Sequence, residues 1–282
     1  LLLRILGKRD DGFHELFTVF QTVSLHDSLI FKMSDGLTLT SNLKYLPTDE
    51  RNLVIIAAKA LQSRFGLKAG AAIHLEKRIP SPGGLGGGSS NAAVALLGLR
   101  QLWEINASVE ELNNIAAEIG SDVPFFLYGG TAIGTGRGEV IEPIGDLEEK
   151  FTMIVTPKVR VSTRGAYERM NAATLTKGAL NHNLQVCRSE AESLDLHHSA
   201  LINDFEASVF SAYPEVKRLK DTLLDLGAVN AAMSGSGASV FAIFDKEETR
   251  QTALKALDHE STWRKFAVAT ISRSEYREAL RC

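Results

Sequence analysis

Residues 82–90 read Pro-Gly-Gly-Leu-Gly-Gly-Gly-Ser-Ser, a loop with five glycines. Glycine lacks a Cβ, so Gly83, Gly84, Gly86, Gly87 and Gly88 let successive backbone N–H groups close on an anion. The residues that follow are helical in pattern, and a helix beginning there adds the positive end of its dipole. The hydroxyls of Ser89 and Ser90 suit phosphate oxygens or a magnesium ion, with Ser90 the expected metal ligand. The loop lacks the Gly-Lys-[Ser/Thr] ending of a P-loop, and no acidic residue follows at the distance a dinucleotide fold requires. A flexible surface connection is the weaker reading, because Leu85 is fixed among the glycines and a helix follows at once.

Asp122 lies between Gly120 and Pro124, ahead of the apolar Phe125-Phe126-Leu127. A carboxylate in such a setting can serve as a general base, and an Asp-x-Pro sequence equally describes a helix N-cap. The residues around it do not decide between the two. A second glycine cluster, Met233-Ser234-Gly235-Ser236-Gly237-Ala238-Ser239, precedes a strand. Its small residues allow a tight turn, or a close approach to another loop or to a ligand, with further N–H donors.

The elements around these residues follow from periodicity. Alternating apolar residues mark strands at 17–23 and 29–31, and Leu1 to Leu6 opens as though partway along a strand, so further residues are expected upstream. Helical spacing runs over 53–65 and ends at Gly66. A strand at 71–75 leads into the glycine loop, and a helix follows over 91–103. Ser108 and Glu111 form a capping box for a helix to Ile119, and Asp122-Val123-Pro124 opens a short one. Strands follow at 131–135, 140–142 and 152–156. Helices dominate from Ser162, with one over 214–226 closed by Gly227. Strands at 229–233, 239–244 and 266–271 then alternate with a helix over 246–257. This pattern predicts an α+β protein of two lobes, 1–155 and 156–282, sharing a tight interface.

Bulk properties narrow the class. A net charge of −3 provides no broad positive field for a nucleic-acid backbone. The longest apolar runs, such as 92–99, fall far short of the ~20 residues a membrane span needs. Cys187 and Cys282 match no metal or redox spacing and read as free thiols. A soluble, cytoplasmic protein is the expectation, acting on a small molecule as a monomer or homodimer.

Taken together, Pro80 with Gly84-Leu85-Gly86-Gly87-Gly88-Ser89-Ser90, Gly120-Ser121-Asp122-Val123-Pro124-Phe125-Phe126 and Met233-Ser234-Gly235-Ser236-Gly237 resemble the three motifs of the GHMP kinase superfamily, in order and spacing. Gly7-Lys8-Arg9-Asp10-Asp11-Gly12-Phe13-His14-Glu15-Leu16 and Asn203-Asp204-Phe205-Glu206 are similar to marks of its branch that phosphorylates a methylerythritol bearing cytidine diphosphate. The resemblance covers nearly the whole chain. It implies a ribosomal-protein-S5-like first lobe and a ferredoxin-like second lobe. It implies ATP and Mg²⁺, transfer of the γ-phosphoryl group to the 2-hydroxyl of the acceptor, and Asp122 as the base. It further implies ATP contacts from residues 82–90, Asn52, Leu53 and Lys77. Acceptor contacts would come from Phe13, His14, Asp122, Thr163, Tyr167, Gly235, Ser236 and Gly237, with Phe13 and His14 at the cytosine and Tyr167 a second aromatic face for it. Read alone, Lys77 is a solvated strand end and Leu53 the first core residue of its helix.

Two departures stand out. The family opens with an Ala-Lys-x-Asn strand whose lysine lies beside the catalytic Asp, and this sequence begins just after that place; Lys8 is not that lysine. Pro82 stands where Gly or Ala is usual, which stiffens the loop entry. The alternatives that remain are another small-molecule kinase of the superfamily, or a catalytically impaired nucleotide-binding relative lacking the lysine.

Overall fold

The computed structural model describes residues 1–169 and 180–280. In chain order the first half forms β1 (Leu2–Lys8), β2 (His14–Gln21), β3 (Ser28–Ser34), β4 (Leu37–Ser41), α1 (Leu53–Phe65), β5 (Gly70–Glu76), α2 (Gly87–Leu102), α3 (Val109–Ile119), α4 (Phe125–Tyr128), β6 (Thr131–Gly136) and β7 (Val140–Pro143). Two sheets result. One is antiparallel in the order β1-β2-β6-β7, and the other places β5 between β3 and β4. The helices α1 and α2 pack against the second sheet, and α3 packs on them, through Val54, Ala58, Leu61, Ala92, Leu96, Leu99, Leu112 and Ile115, all buried.

The rest of the chain adds β8 (Thr152–Thr156), α5 (Thr163–Glu168), α6 (Leu180–Glu192), α7 (Glu206–Ala212), α8 (Pro214–Asp225), β9 (Asn230–Met233), β10 (Val240–Ile243), α9 (Glu247–Ala256), β11 (Arg264–Val268) and α10 (Arg273–Leu280). Its antiparallel sheet runs β11-β8-β10-β9, the strand order of a ferredoxin-like lobe. The two lobes meet sheet against sheet. Leu2, Leu6, Phe17, Val19 and Ile133 of the first form one buried cluster with Ile154, Phe241, Ile243 and Val268 of the second.

The chain division expected at 155/156 passes through β8, whose sheet partners all lie later in the sequence. We propose that the division falls within 144–151 instead. Two elements have no counterpart among the sequence expectations. The alternation Leu37-Thr38-Leu39-Thr40 forms β4, paired parallel with β5. α10 returns to the first lobe, where the Tyr276 hydroxyl donates to the Phe126 carbonyl at 2.8 Å and Arg273 donates to the carbonyls of Thr131 and Ile144 at 2.7 and 3.0 Å. Cys187 is a buried free thiol, and Cys282 lies outside the described residues.

Candidate active site

The phosphate loop enters its helix earlier than periodicity suggests. Glycine is a poor helix former, which places the expected start after the glycines, yet α2 begins at Gly87. Gly86 supplies the turn with φ +63, and the Ser90 N–H already donates to the Gly86 carbonyl at 2.8 Å. The amides of Gly87, Gly88 and Ser89 therefore form the first helical turn and have no partner within the helix. They are the donors a phosphate would meet.

Three contacts fix this loop. A Cβ on Gly86 would lie 2.8 Å from the Phe126 ring, so the second motif packs directly beneath the loop. The Ser234 hydroxyl donates to the Gly84 carbonyl at 2.8 Å, and the Ser239 N–H donates to the Gly83 carbonyl at 3.1 Å. The glycine cluster at 233–239 thus leans on the phosphate loop itself, the close approach that its small residues permit.

The loop opens onto a cleft of about 1180 Å³ between the lobes. Of the site residues expected from sequence, Phe13, His14, Leu53, residues 82–89, Asp122, Thr163, Tyr167, Gly235, Ser236 and Gly237 line it. Asn52, Lys77 and Ser90 are not among the lining residues. Asn52 caps α1, accepting from the Val54 N–H at 3.0 Å and donating to the Pro47 carbonyl at 2.7 Å. Lys77 is no solvated strand end. Its ammonium lies 2.5 Å from Asp27, both side chains being 2% exposed, and burial lowers its pKa against the opposing pull of Asp27. It stands behind the loop, 2.8 Å from where a Cβ on Gly87 would sit.

Asp122 does not cap a helix: α4 begins three residues later and Asp122 makes no hydrogen bond or ion pair among the described residues. Its side chain is exposed on the cleft side, while the surrounding protein is dense enough that burial raises its carboxyl pKa. Both hold for a group on the floor of a deep cleft. A carboxylate with no internal partner and a raised pKa is suited to take a proton.

On another wall stand the aromatic residues. Phe13 is 53% exposed, and the guanidinium of Arg137, 5.0 Å from the ring centroid, covers one face. Arg137 lines the cleft as well, a residue that its local sequence did not single out. His14 stacks on Tyr167, centroids 4.9 Å apart and planes 20° off parallel. His14 covers one face of Tyr167, and Tyr167 thereby backs the histidine from within the same cleft. Burial first, and the Asp122 charge second, push the Tyr167 hydroxyl up to about 12. Burial first, and Lys8 second, lower the His14 pKa, which favours a neutral ring with one donor and one acceptor nitrogen. Thr163 meets Ser236 at 2.9 Å, hydroxyl to hydroxyl, and so joins α5 to the glycine cluster.

Comparison with known proteins places this geometry in a class. The family description "GHMP kinases N terminal domain" matches residues 52–130, which include the phosphate loop and Asp122, and "GHMP kinases C terminal" matches 188–261. The class is that of GHMP kinases, enzymes with ATP as co-substrate. A 4-diphosphocytidyl-2-C-methyl-D-erythritol kinase of Thermodesulfovibrio yellowstonii is 40% identical over 256 residues, 90% of this chain and 89% of that one. One of Syntrophus aciditrophicus is 40% identical over 96% of each chain. A crystal structure of 4-(cytidine 5'-diphospho)-2C-methyl-D-erythritol kinase superposes with a TM-score of 0.76 at 30% identity, covering 95% of this chain and 94% of that one. The chain belongs to the 4-diphosphocytidyl-2-C-methyl-D-erythritol kinase family. A homoserine kinase of Cytophaga hutchinsonii, TM-score 0.69 at 23% identity, shares the fold.

Proposed function

We propose that this enzyme transfers the γ-phosphoryl group of ATP to the 2-hydroxyl of 4-diphosphocytidyl-2-C-methyl-D-erythritol, a step toward isoprenoid precursors. The observation that carries this reading is the Asp122 carboxylate, without a hydrogen-bond or ion-pair partner among the described residues, in one cleft with both the phosphate loop and the Phe13-His14 pair. Asp122 accepts the hydroxyl proton as the oxygen attacks the γ-phosphorus; the bond from that phosphorus to the β-phosphate oxygen breaks, and ADP leaves. The first-turn amides of α2 hold the phosphates and offset their charge. The cytosine ring stacks on Phe13 while neutral His14 bonds its edge.

Among the described residues no group of three or more His, Cys, Asp or Glu side chains is arranged to hold a metal. Mg²⁺ would reach this site with ATP, retaining water and taking phosphate oxygens rather than a protein cage. Ser90, with Ser89 beside it in the first turn of α2, would supply a hydroxyl to the ion. When bound, the ion would neutralise charge on the transferring phosphates. No helix of the described residues is long and apolar enough to cross a membrane, and we place the enzyme in the cytoplasm, where ATP is available. The cleft lies within one chain, so a monomer or a homodimer would serve equally.

Replacing Phe13 with Ala tests the base platform. Loss of a stacking face worth ~1–3 kcal/mol should raise KM for the cytidyl acceptor about tenfold or more, with KM for ATP little changed. Steady-state kinetics with each substrate varied in turn measure both, and an equal rise in the two constants would contradict the assignment.

A further inference from the structure

The segment Asn203-Asp204-Phe205-Glu206 touches both halves of the site. Asn203, 8% exposed, donates from its amide nitrogen to the carbonyls of Met233 and Gly235, each at 2.8 Å. Its amide oxygen accepts from the Phe205 N–H at 3.0 Å. The loop it holds is the one whose Ser234 hydroxyl bonds the Gly84 carbonyl of the phosphate loop. Phe205, 2% exposed, sets its ring edge-on to Tyr167 with centroids 4.8 Å apart, and Tyr167 backs His14. The flanking carboxylates anchor the segment itself. Asp204 accepts from the Ile5 N–H at 2.7 Å, while Glu206 accepts from the Met233 N–H and from Lys220 at 2.8 and 2.7 Å.

We propose that Asn203 and Phe205 are positioning residues, which from one short segment hold the phosphate loop and the base platform at a fixed separation. Phosphoryl transfer requires the attacking oxygen and the leaving oxygen in line, so the distance between the subsites is itself part of the catalytic geometry. Asn203 acts through Met233 and Gly235 on the loop at Gly84; without its amide, two largely buried carbonyls lose their donor. Phe205 acts through Tyr167 on His14. The acceptor half rests on the reading under Proposed function, and the ATP half does not.

The test separates the two arms. With Asn203→Ala, direct binding of a non-hydrolysable ATP analogue should weaken about tenfold, with a smaller rise, about threefold, in acceptor KM through Gly235. With Phe205→Leu the pattern should reverse, acceptor KM rising about fivefold with analogue binding intact. Ser234→Ala breaks the next link without entering the core and should weaken analogue binding about threefold. In the double variant with Asn203→Ala the losses should combine to less than their product, because the two act in series. If Asn203→Ala does not fold, Ser234→Ala and Phe205→Leu still decide. Equal losses in both arms, unchanged analogue binding in Ser234→Ala, or a mere drop in the folded fraction with unchanged constants would overturn the proposal. The analogue arm needs no acceptor. A wrong acceptor would therefore appear as absent turnover in the unaltered protein, with the analogue arm intact.

Discussion

Asp122→Asn should retain ATP binding within about twofold and lose turnover by about 10²–10⁴-fold, the usual range for removing a general base. The change keeps the shape of the side chain and touches none of the loop contacts, so a loss confined to kcat follows from the chemistry alone. The pH profile gives a second readout. Burial raises the Asp122 pKa, and a base works only when ionised. Activity of the unaltered enzyme should therefore climb as pH rises through a value above the ordinary carboxylate range and fall away below it. That ascending limb should vanish from the residual activity of Asp122→Asn. Stability should move the other way. A carboxyl whose folded pKa is raised contributes stability that is fully present below its unfolded pKa and lost as pH rises through the folded one. At neutral pH the neutral amide removes that loss, so Tm of Asp122→Asn should equal or exceed that of the parent. Turnover within a few-fold of the parent would remove Asp122 from the role of base.

The second large effect belongs to Gly84. Its φ is +70, a conformation that costs an L-residue with a Cβ ~1–2 kcal/mol. An added Cβ would also lie 2.3 Å from the Ser234 carbonyl oxygen and 2.8 Å from that of Gly237, both backbone atoms that a side-chain rotation cannot move. Overpacking of that kind costs a further ~1–3 kcal/mol. Gly84→Ala should lower Tm by about 5–15 °C and weaken ATP binding by an order of magnitude or more, because relief requires the two glycine loops to separate. Gly88→Ala is the control. Its Cβ would meet Leu53 at 3.5 Å, an ordinary contact, and alanine is the better helix former by ~1 kcal/mol, so Tm should hold or rise. Equal Tm values for the two variants would show that the loops are not locked together as described.

Much of this site was legible in local sequence. The glycine loop, the capping box at Ser108 and Glu111, and the left-handed Gly66 end of α1 each carry their own physical signature within a few residues. What escaped was decided by partners distant in the chain. Asn52 and Lys77 look like candidate ligands until Val54, Pro47 and Asp27 are found occupying them. Nothing local to Tyr167 shows that His14 stacks on one of its faces. Asp122 could not be told from an N-cap by spacing alone, because only the fold shows that no helix N–H reaches it. Two misses did have a signal. Ser272 and Glu275 bond one another's backbone N–H groups as a capping box, which marks the start of α10. The Leu-Thr alternation at 37–40 marked β4.

The central claim is that one cleft joins ATP to a cytidyl-bearing hydroxyl. Its most direct test supplies the protein with ATP, Mg²⁺ and, separately, 4-diphosphocytidyl-2-C-methyl-D-erythritol, homoserine or mevalonate, and follows products by phosphorus and carbon NMR. The account predicts ADP and a phosphomonoester on the C2 oxygen in equal amounts with the cytidyl acceptor, its diphosphate intact, and negligible phosphorylation of the other two. Ready phosphorylation of homoserine or mevalonate with the cytidyl compound left untouched would contradict it.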